Sequence, residues 1–254
     1  MRIQSILKYQ LRDYRNTVLI MYLCVYVFAA FIGISNTTVN SLVIKGKSTV
    51  EGLGGLELAS MVTLFVIGLN SFKPLFKFFS GNGISRRTLF TGLLCGMGIT
   101  AAVMAFIDVL NSVLFSHVMS YNSMFQMLYY NTSDGVQAPI TVLMLVQQFL
   151  WLLVAYLWIM MIGFFVTNLY YRMNKSIKIA VSIGVPIFLF YVLPILDNFL
   201  LNQFLSYALY NFVTFAWGLT NGCNPFIGMA SMLVFAAVNA VFAWLLVRRA
   251  NVKV

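Results

Sequence analysis

Few residues in this chain are equipped for chemistry. Residues 44–49, IKGKST, carry the Gly-Lys-Ser core of a phosphate-binding loop. Such a loop needs a second glycine separated from the core by four residues, where a tight turn lets backbone N–H groups wrap phosphate. That position is Ser41, so ATP binding there is not expected. The three cysteines, Cys24, Cys95 and Cys223, form no CxxC, and their odd number leaves one outside any disulfide. Cys24 and Cys95 fall inside apolar runs and read as buried, inert thiols. His117 is the only histidine and has no nearby cysteine, so no metal site is read. HExxH and GxSxG are both absent. Asp108 is the one acid well inside an apolar run. Counting from Arg87 sets it near the outer end of its helix, where a carboxylate reaches water, so no proton relay is read. Asn36-Thr-Thr38 and Asn131-Thr-Ser133 match the glycosylation acceptor and are expected in outer loops.

The elements that must position these residues are apolar. Of 254 residues, 61% are hydrophobic and 9% charged, with a mean hydropathy of +0.90. An ordinary soluble domain carries roughly 25% charged residues. One water-facing globule cannot hide this much apolar surface, so the solvent is a bilayer. Six runs approach the ~20 apolar residues that cross it: 17–34, 56–72, 88–115, 139–171, 179–196 and 225–247. The net charge of +10 is not a nucleic-acid patch, because the basic residues lie in short clusters between the runs. With the N terminus in the cytoplasm, Arg2, Lys8, Arg12 and Arg15 fall inside. So do Lys73, Lys77, Arg86 and Arg87, then Arg172, Lys175 and Lys178, then Arg248, Arg249 and Lys253. That is 14 of the 16 Lys and Arg; only Lys45 and Lys47 fall outside. Basic asymmetry sets orientation, so the fold class is an all-α integral membrane protein with six spans and both termini cytoplasmic. No cleavable signal peptide is expected.

Between the spans, three segments stand out. Residues 1–16 place Ile3, Ile6, Leu7, Gln10, Leu11 and Tyr14 on one helical face and Lys8, Arg12 and Arg15 on the other, as an interfacial amphipathic helix does. Residues 197–224 are too apolar for a free loop and read as extracytoplasmic re-entrant or interfacial helices. The stretch "FKFFSGNGISRRTLF" (76–90) is a turn. Pro74 opens a short helix, Gly81 and Gly83 permit positive φ, and Ser85 caps the third span. Arg86 and Arg87 sit badly for that helix's own dipole and read as anchors or as partners for acids on another protein. "GLLCG" (92–96), followed by Gly98, reads as a close helix contact. Ser60, Thr63 and Asn70 share a face of the second span. Thr141, Gln147, Gln148 and Asn168 punctuate the fourth, and Asn239 the sixth. Polar groups in lipid face protein or a wet cavity, so these are either interhelical glue or lining. Thr63, Asn70, Gln147, Gln148 and Asn239 are the candidates for a translocation path.

The start "MRIQSILKYQLRDYRN", the six spans, "NGISRRTLF" opening the third span and the closing "LLVRRANVKV" together resemble the permease subunit of an ABC-2 type ATP-binding cassette transporter of Gram-positive bacteria. The resemblance implies one transmembrane permease domain over 1–254 in a bacterial plasma membrane. It implies a cytoplasmic ABC ATPase subunit that binds ATP and Mg, and a second permease copy or paralogue. This chain would then be no enzyme by itself and would hold no cofactor. It further implies that the segment from Lys73 to Arg87 is a coupling helix on the ATPase, with Lys73, Lys77, Gly81, Asn82, Gly83, Ser85, Arg86 and Arg87 as candidate contacts. The expected cargo is an amphipathic peptide or hydrophobic compound. The alternatives are an ion-coupled secondary transporter, which needs inverted repeats and mid-membrane charges, and an assembly factor or intramembrane enzyme, which needs a catalytic cluster.

Overall fold

The structure, a computed structural model, describes residues 2–42, 53–118, 121–130, 140–200, 203–220 and 222–248. IKGKST (44–49), Asp134 and Asn131-Thr-Ser133 lie outside them. Among the described residues six helices are long and apolar enough to cross a membrane. They are α1 (Arg2–Leu42), α2 (Glu57–Asn70) continued by α3 (Phe72–Gly81), α4 (Arg86–Val118), α6 (Val142–Arg172), the run from α7 (Lys175–Ile187) through α8 (Leu193–Leu200), and α10 (Pro225–Arg248). Two short helices, α5 (Met124–Tyr129) and α9 (Phe204–Ala216), and a two-residue parallel bridge of β1 (Leu53–Gly54) with β2 (Tyr121–Asn122) complete the set.

Two expectations need correction. The amphipathic start does not form a separate flat helix over 1–16. α1 is unbroken to Leu42, about 60 Å at 1.5 Å per residue. No Gly or Pro interrupts it near residue 16, so nothing there ends the helix. Its stripe of Ile6, Gln10 and Tyr14 is buried against protein rather than lipid. Asn36-Thr-Thr38 also lies within α1 instead of a loop. The cysteines are the second correction, since Cys24 and Cys95 are exposed, as is Cys223 in its loop. Cys24 and Cys95 sit on the outward, apolar faces of their helices.

Close approach of small residues holds the bundle. α4 runs parallel to α1, with Gly92 against Ile6 and Gly96 against Gln10. This is the contact expected of the GLLCG stretch, although Gly98 meets nothing. α2 crosses α6 where Gly68 meets the Met160 carbonyl and Gly163 meets the Phe65 carbonyl. No Cβ fits at either point, so the two backbones touch, as glycine pairs in membranes allow. Trp151, Tyr156, Phe164, Phe72 and Phe76 fill the centre and are fully buried.

The α7–α8 run is different. Pro186 and Pro194 fall in it, and a π-helical segment, Phe188–Val192, joins α7 to α8. A proline lacks the N–H its helix needs and crowds the carbonyl four residues back, and a π turn is a common local answer. Among the described side chains of this run only Asp197 is buried. Its carboxylate accepts from the backbone N–H groups of Leu205 and Ser206, both at 2.8 Å, and from the Ser206 hydroxyl. It thereby fixes the corner from α8 into α9.

The glycine contacts make a differential prediction. Gly163→Val is expected to destabilise the protein by about 1–3 kcal/mol through overpacking, read as a melting temperature lower by several degrees in detergent. Gly184→Ala, where nothing lies within 4 Å of the new Cβ, is expected to leave it unchanged or slightly raised.

Candidate functional site

Five helices meet at one end of the bundle. Tyr9 of α1 stacks on Phe78 of α3 at 5.6 Å. Tyr171, near the end of α6, meets Phe72 and Phe76 at 5.4 and 5.8 Å. The Arg86 guanidinium donates to the Arg248 carbonyl at the last turn of α10. Lys8, Arg12, Lys73, Lys77, Arg87, Arg172 and Lys175 are all exposed around this end. Basic clusters that are far apart in sequence therefore form one surface.

α3 is amphipathic for a simple reason. Phe72, Leu75, Phe76 and Phe79 recur at helical spacing and are buried, while Lys73, Pro74, Lys77 and Phe78 face out. Its exit is a Schellman turn. The Ile84 N–H donates to the Phe79 carbonyl at 3.1 Å, and Gly83 takes φ +69° between them. Gly81 is the last helical residue and needs no special φ, contrary to the paired-glycine expectation. The Asn82 amide donates back to the Phe78 carbonyl at 3.0 Å. Ser85 caps α4 as expected, its hydroxyl accepting from the Thr88 N–H at 3.2 Å. Arg86 is spoken for within the chain. A cation at the C terminus of a helix complements its dipole, and Arg86 fills that place for α10. Arg87 remains the outward arginine of the pair.

A hydrogen-bonded chain leads from this end into the bundle. The Gln10 amide donates to the Leu93 carbonyl at 3.3 Å and to the Tyr14 hydroxyl at 2.9 Å. The Tyr14 and Ser71 hydroxyls are bonded, and Ser71 donates to the Ile67 carbonyl at the α2–α3 bend. The helix bend and the first helix thus share one buried polar junction.

Deeper lies the carboxyl group expected to reach water. Asp108 does not reach water; it is buried, at 6% exposure. The Tyr22 hydroxyl of α1 donates to one oxygen at 3.0 Å, and the Tyr156 hydroxyl of α6 donates to the other. The Ser60 hydroxyl of α2 and the Asn111 amide also lie within hydrogen-bonding reach. Tyr26 extends the network to Asn111 at 2.8 Å. Near the opposite end from the basic surface, the buried Glu57 accepts from Tyr121 at 2.8 Å and from the Met124 N–H at 3.3 Å. Burial and the neighbouring Glu57 carboxyl push the Tyr121 phenol well above its ordinary range, so it stays a donor. α5 follows, opened by a capping box in which Ser123 and Gln126 bond each other's backbone N–H. The Ser-x-x-Gln spacing was a legible signal for it.

The path candidates do not converge. Thr63 turns back to the Ala59 carbonyl at 2.9 Å, and Asn70 is exposed. Gln147 accepts from Tyr130 at 3.5 Å. Gln148 is fully buried, with neither amide atom bonded to a described residue. Asn239 lines a separate cleft between α6, α9 and α10. Thr141 precedes α6 without a capping bond, and Asn168 donates to the Phe164 carbonyl at 2.9 Å.

No family model, no curated protein and no solved structure matches this chain. Among the described residues no group of three His, Cys, Asp or Glu side chains is placed to hold a metal ion.

Removing the Asp108 carboxyl orphans the Tyr156 hydroxyl and leaves the Tyr22 hydroxyl only the Met104 carbonyl at 3.2 Å. Asp108→Leu is expected to cost about 1–3 kcal/mol, the penalty for a buried donor left unpaired. Tyr156→Phe is expected to cost less, because interhelical hydrogen bonds in bilayers average about 0.6 kcal/mol. The double variant is expected to be less destabilised than the sum of the two, by thermal or denaturant unfolding in detergent.

Proposed function

We propose that this chain is the membrane-spanning permease subunit of an ABC exporter, working as a pair in a bacterial plasma membrane with both termini cytoplasmic. ATP and Mg bind a separate ATPase subunit, and the chain itself moves an amphipathic peptide or hydrophobic compound. The observation that carries the reading is the basic end. There an amphipathic helix, α3, lies on the core with two lysines outward, ringed by cations from α1, the start of α4 and the turn from α6 into α7. A partner that pushes on α3 pushes on α1 through the Tyr9–Phe78 stack. It pushes on α6 through Phe72, Phe76 and Tyr171, and on α10 through Arg86. That is the mechanical linkage a coupling helix needs, because a nucleotide shifts the permease only through contacts that differ between states. In this reading α9 is the re-entrant helix before the last span.

Ion-coupled secondary transport gains one observation, a buried carboxyl at Asp108. It is the weaker reading, because both carboxyl oxygens are already engaged by tyrosines of neighbouring helices.

Purifying the tagged chain from its native membrane tests the proposal. An ATPase subunit is expected to accompany it, and purification without one overturns the assignment. Lys73→Glu with Lys77→Glu, or Arg87→Glu alone, is expected to lower the accompanying ATPase about tenfold with membrane insertion unchanged. Arg86→Ala is expected to leave the complex intact and lower the melting temperature by about 2–4 °C, the loss of roughly 1 kcal/mol. Equal loss of complex from Arg86→Ala and Arg87→Glu would erase the division of labour between them.

A further inference from the structure

The cleft between α6, α9 and α10 has a volume of about 480 Å³, inside the range of roughly 300–1,000 Å³ that small-molecule sites occupy. Trp158, Phe165, Phe212, Trp217 and Phe235 line it, and Asn239 supplies its carboxamide. The rings are in contact across helices. Trp158 of α6 lies 6.0 Å from Phe235 of α10, and Phe212 of α9 lies 6.2 Å from the same ring. Depth follows from helix geometry. Asn239 lies nine residues before Arg248, the last residue of α10, or about 14 Å at 1.5 Å per residue. That is near the middle of a hydrocarbon core about 30 Å thick.

At this depth the carboxamide is the informative group. The Asn239 side chain makes no hydrogen bond to another described residue. Leaving an amide unpaired in hydrocarbon costs several kcal/mol. A water needs two to four polar partners, and besides this carboxamide the lining side chains offer only the indole N–H groups of Trp158 and Trp217, which donate but cannot accept. A plain acyl chain fills the cleft and leaves the amide unpaired. An occupant that satisfies every wall is apolar along its body and carries one hydrogen-bonding group at the level of Asn239.

We infer that this cleft binds a single lipophilic molecule with an aromatic or alkyl body and a carbonyl, amide or hydroxyl group paired to Asn239. Rings of Trp158, Phe212 and Phe235 clasp the body, and the carboxamide sets its register. The inference deepens the transport proposal, on which a role as a station for hydrophobic cargo rests. The binding itself needs no ATPase.

The full chain in phospholipid nanodiscs, without a partner, is titrated with N-dodecyl-4-bromobenzamide, and with 1-bromo-4-dodecylbenzene, which lacks the amide. Bromine quenches the fluorescence of Trp158 and Trp217, so occupancy is read directly. Saturable quenching by the benzamide is expected, with most of it lost when Trp158→Phe and Trp217→Phe are combined. Asn239→Leu is expected to raise the benzamide midpoint about fivefold, the worth of one hydrogen bond, and leave the alkylbenzene midpoint unmoved. Asn239→Gln is expected to bind within about twofold of the parent. Phe212→Ala, on a different helix, is expected to raise both midpoints, so the site stays testable if Asn239→Leu folds poorly. Equal midpoints for both probes in parent and Asn239→Leu overturn the inference and make the cleft a groove for lipid chains. Absence of saturable quenching also overturns it, and points to a second copy covering the cleft. Binding without any ATPase in the native complex would retain the site and remove only its transport role.

Discussion

The fold turns on a polar side chain that the bilayer will not solvate. Asp108 is buried where water does not reach it, so its oxygens must find partners on other helices. Tyr22 and Tyr156 supply them, from α1 and α6, with Ser60 of α2 close by. One carboxyl group therefore fixes the relative depth and rotation of four helices. Apolar packing between helices in lipid is permissive, because lipid tails compete on equal terms with side chains. A polar knot is not permissive. The glycine contacts at Gly68 and Gly163 then set how close α2 and α6 come, and the aromatic centre fills what remains.

The two halves of the chain follow from this. Helices tied to the knot, α1, α2, α4 and α6, form a packed body that α10 joins along α6. Among the described residues the α7–α8 run joins it through one side-chain hydrogen bond, between the Ser182 hydroxyl and the Tyr170 hydroxyl of α6 at 2.9 Å, while Asp197 is spent on capping α9. Its apolar side chains face outward over nearly their full length. The basic end belongs to the packed body. A force applied at α3 thus reaches the knot through Tyr14, Ser71 and Gln10 before it reaches the arm. On the exporter proposal, this is the order in which movement spreads.

The coarse architecture was legible because lipid imposes its length scale on sequence. All six spans, the cap at Ser85, the turn at Gly83 and the GLLCG contact follow from apolar length, capping chemistry and small-residue spacing. Facing was harder to read. Cys24 and Cys95 looked buried because their neighbours are apolar, but in a membrane an apolar neighbourhood is just as often the outside of a helix. Asp108 looked wet because its depth was counted along one helix, whereas its burial is decided by tyrosines 86 and 48 residues away. The break after residue 16 looked necessary because the stripe of Ile6, Gln10 and Tyr14 resembles a surface helix. Its partners are α4 and Ser71 at the α2–α3 bend, which the stripe itself cannot name. Arg86 looked like half of a pair with Arg87, since nothing in the sequence tells that the last carbonyl of α10 lies beside it.

The claim most exposed to refutation is that the basic end meets an ATPase rather than lipid headgroups alone. Site-specific photocrosslinking in the native membrane addresses it, with the crosslinking residue at Asn82 beside the outward lysines and a control at Met127, exposed near the opposite end. Adducts from position 82 are expected to contain an ATP-binding subunit, and adducts from position 127 are not. Lipid adducts alone from position 82, with no protein carrying an ATP-binding fold, would contradict the assignment.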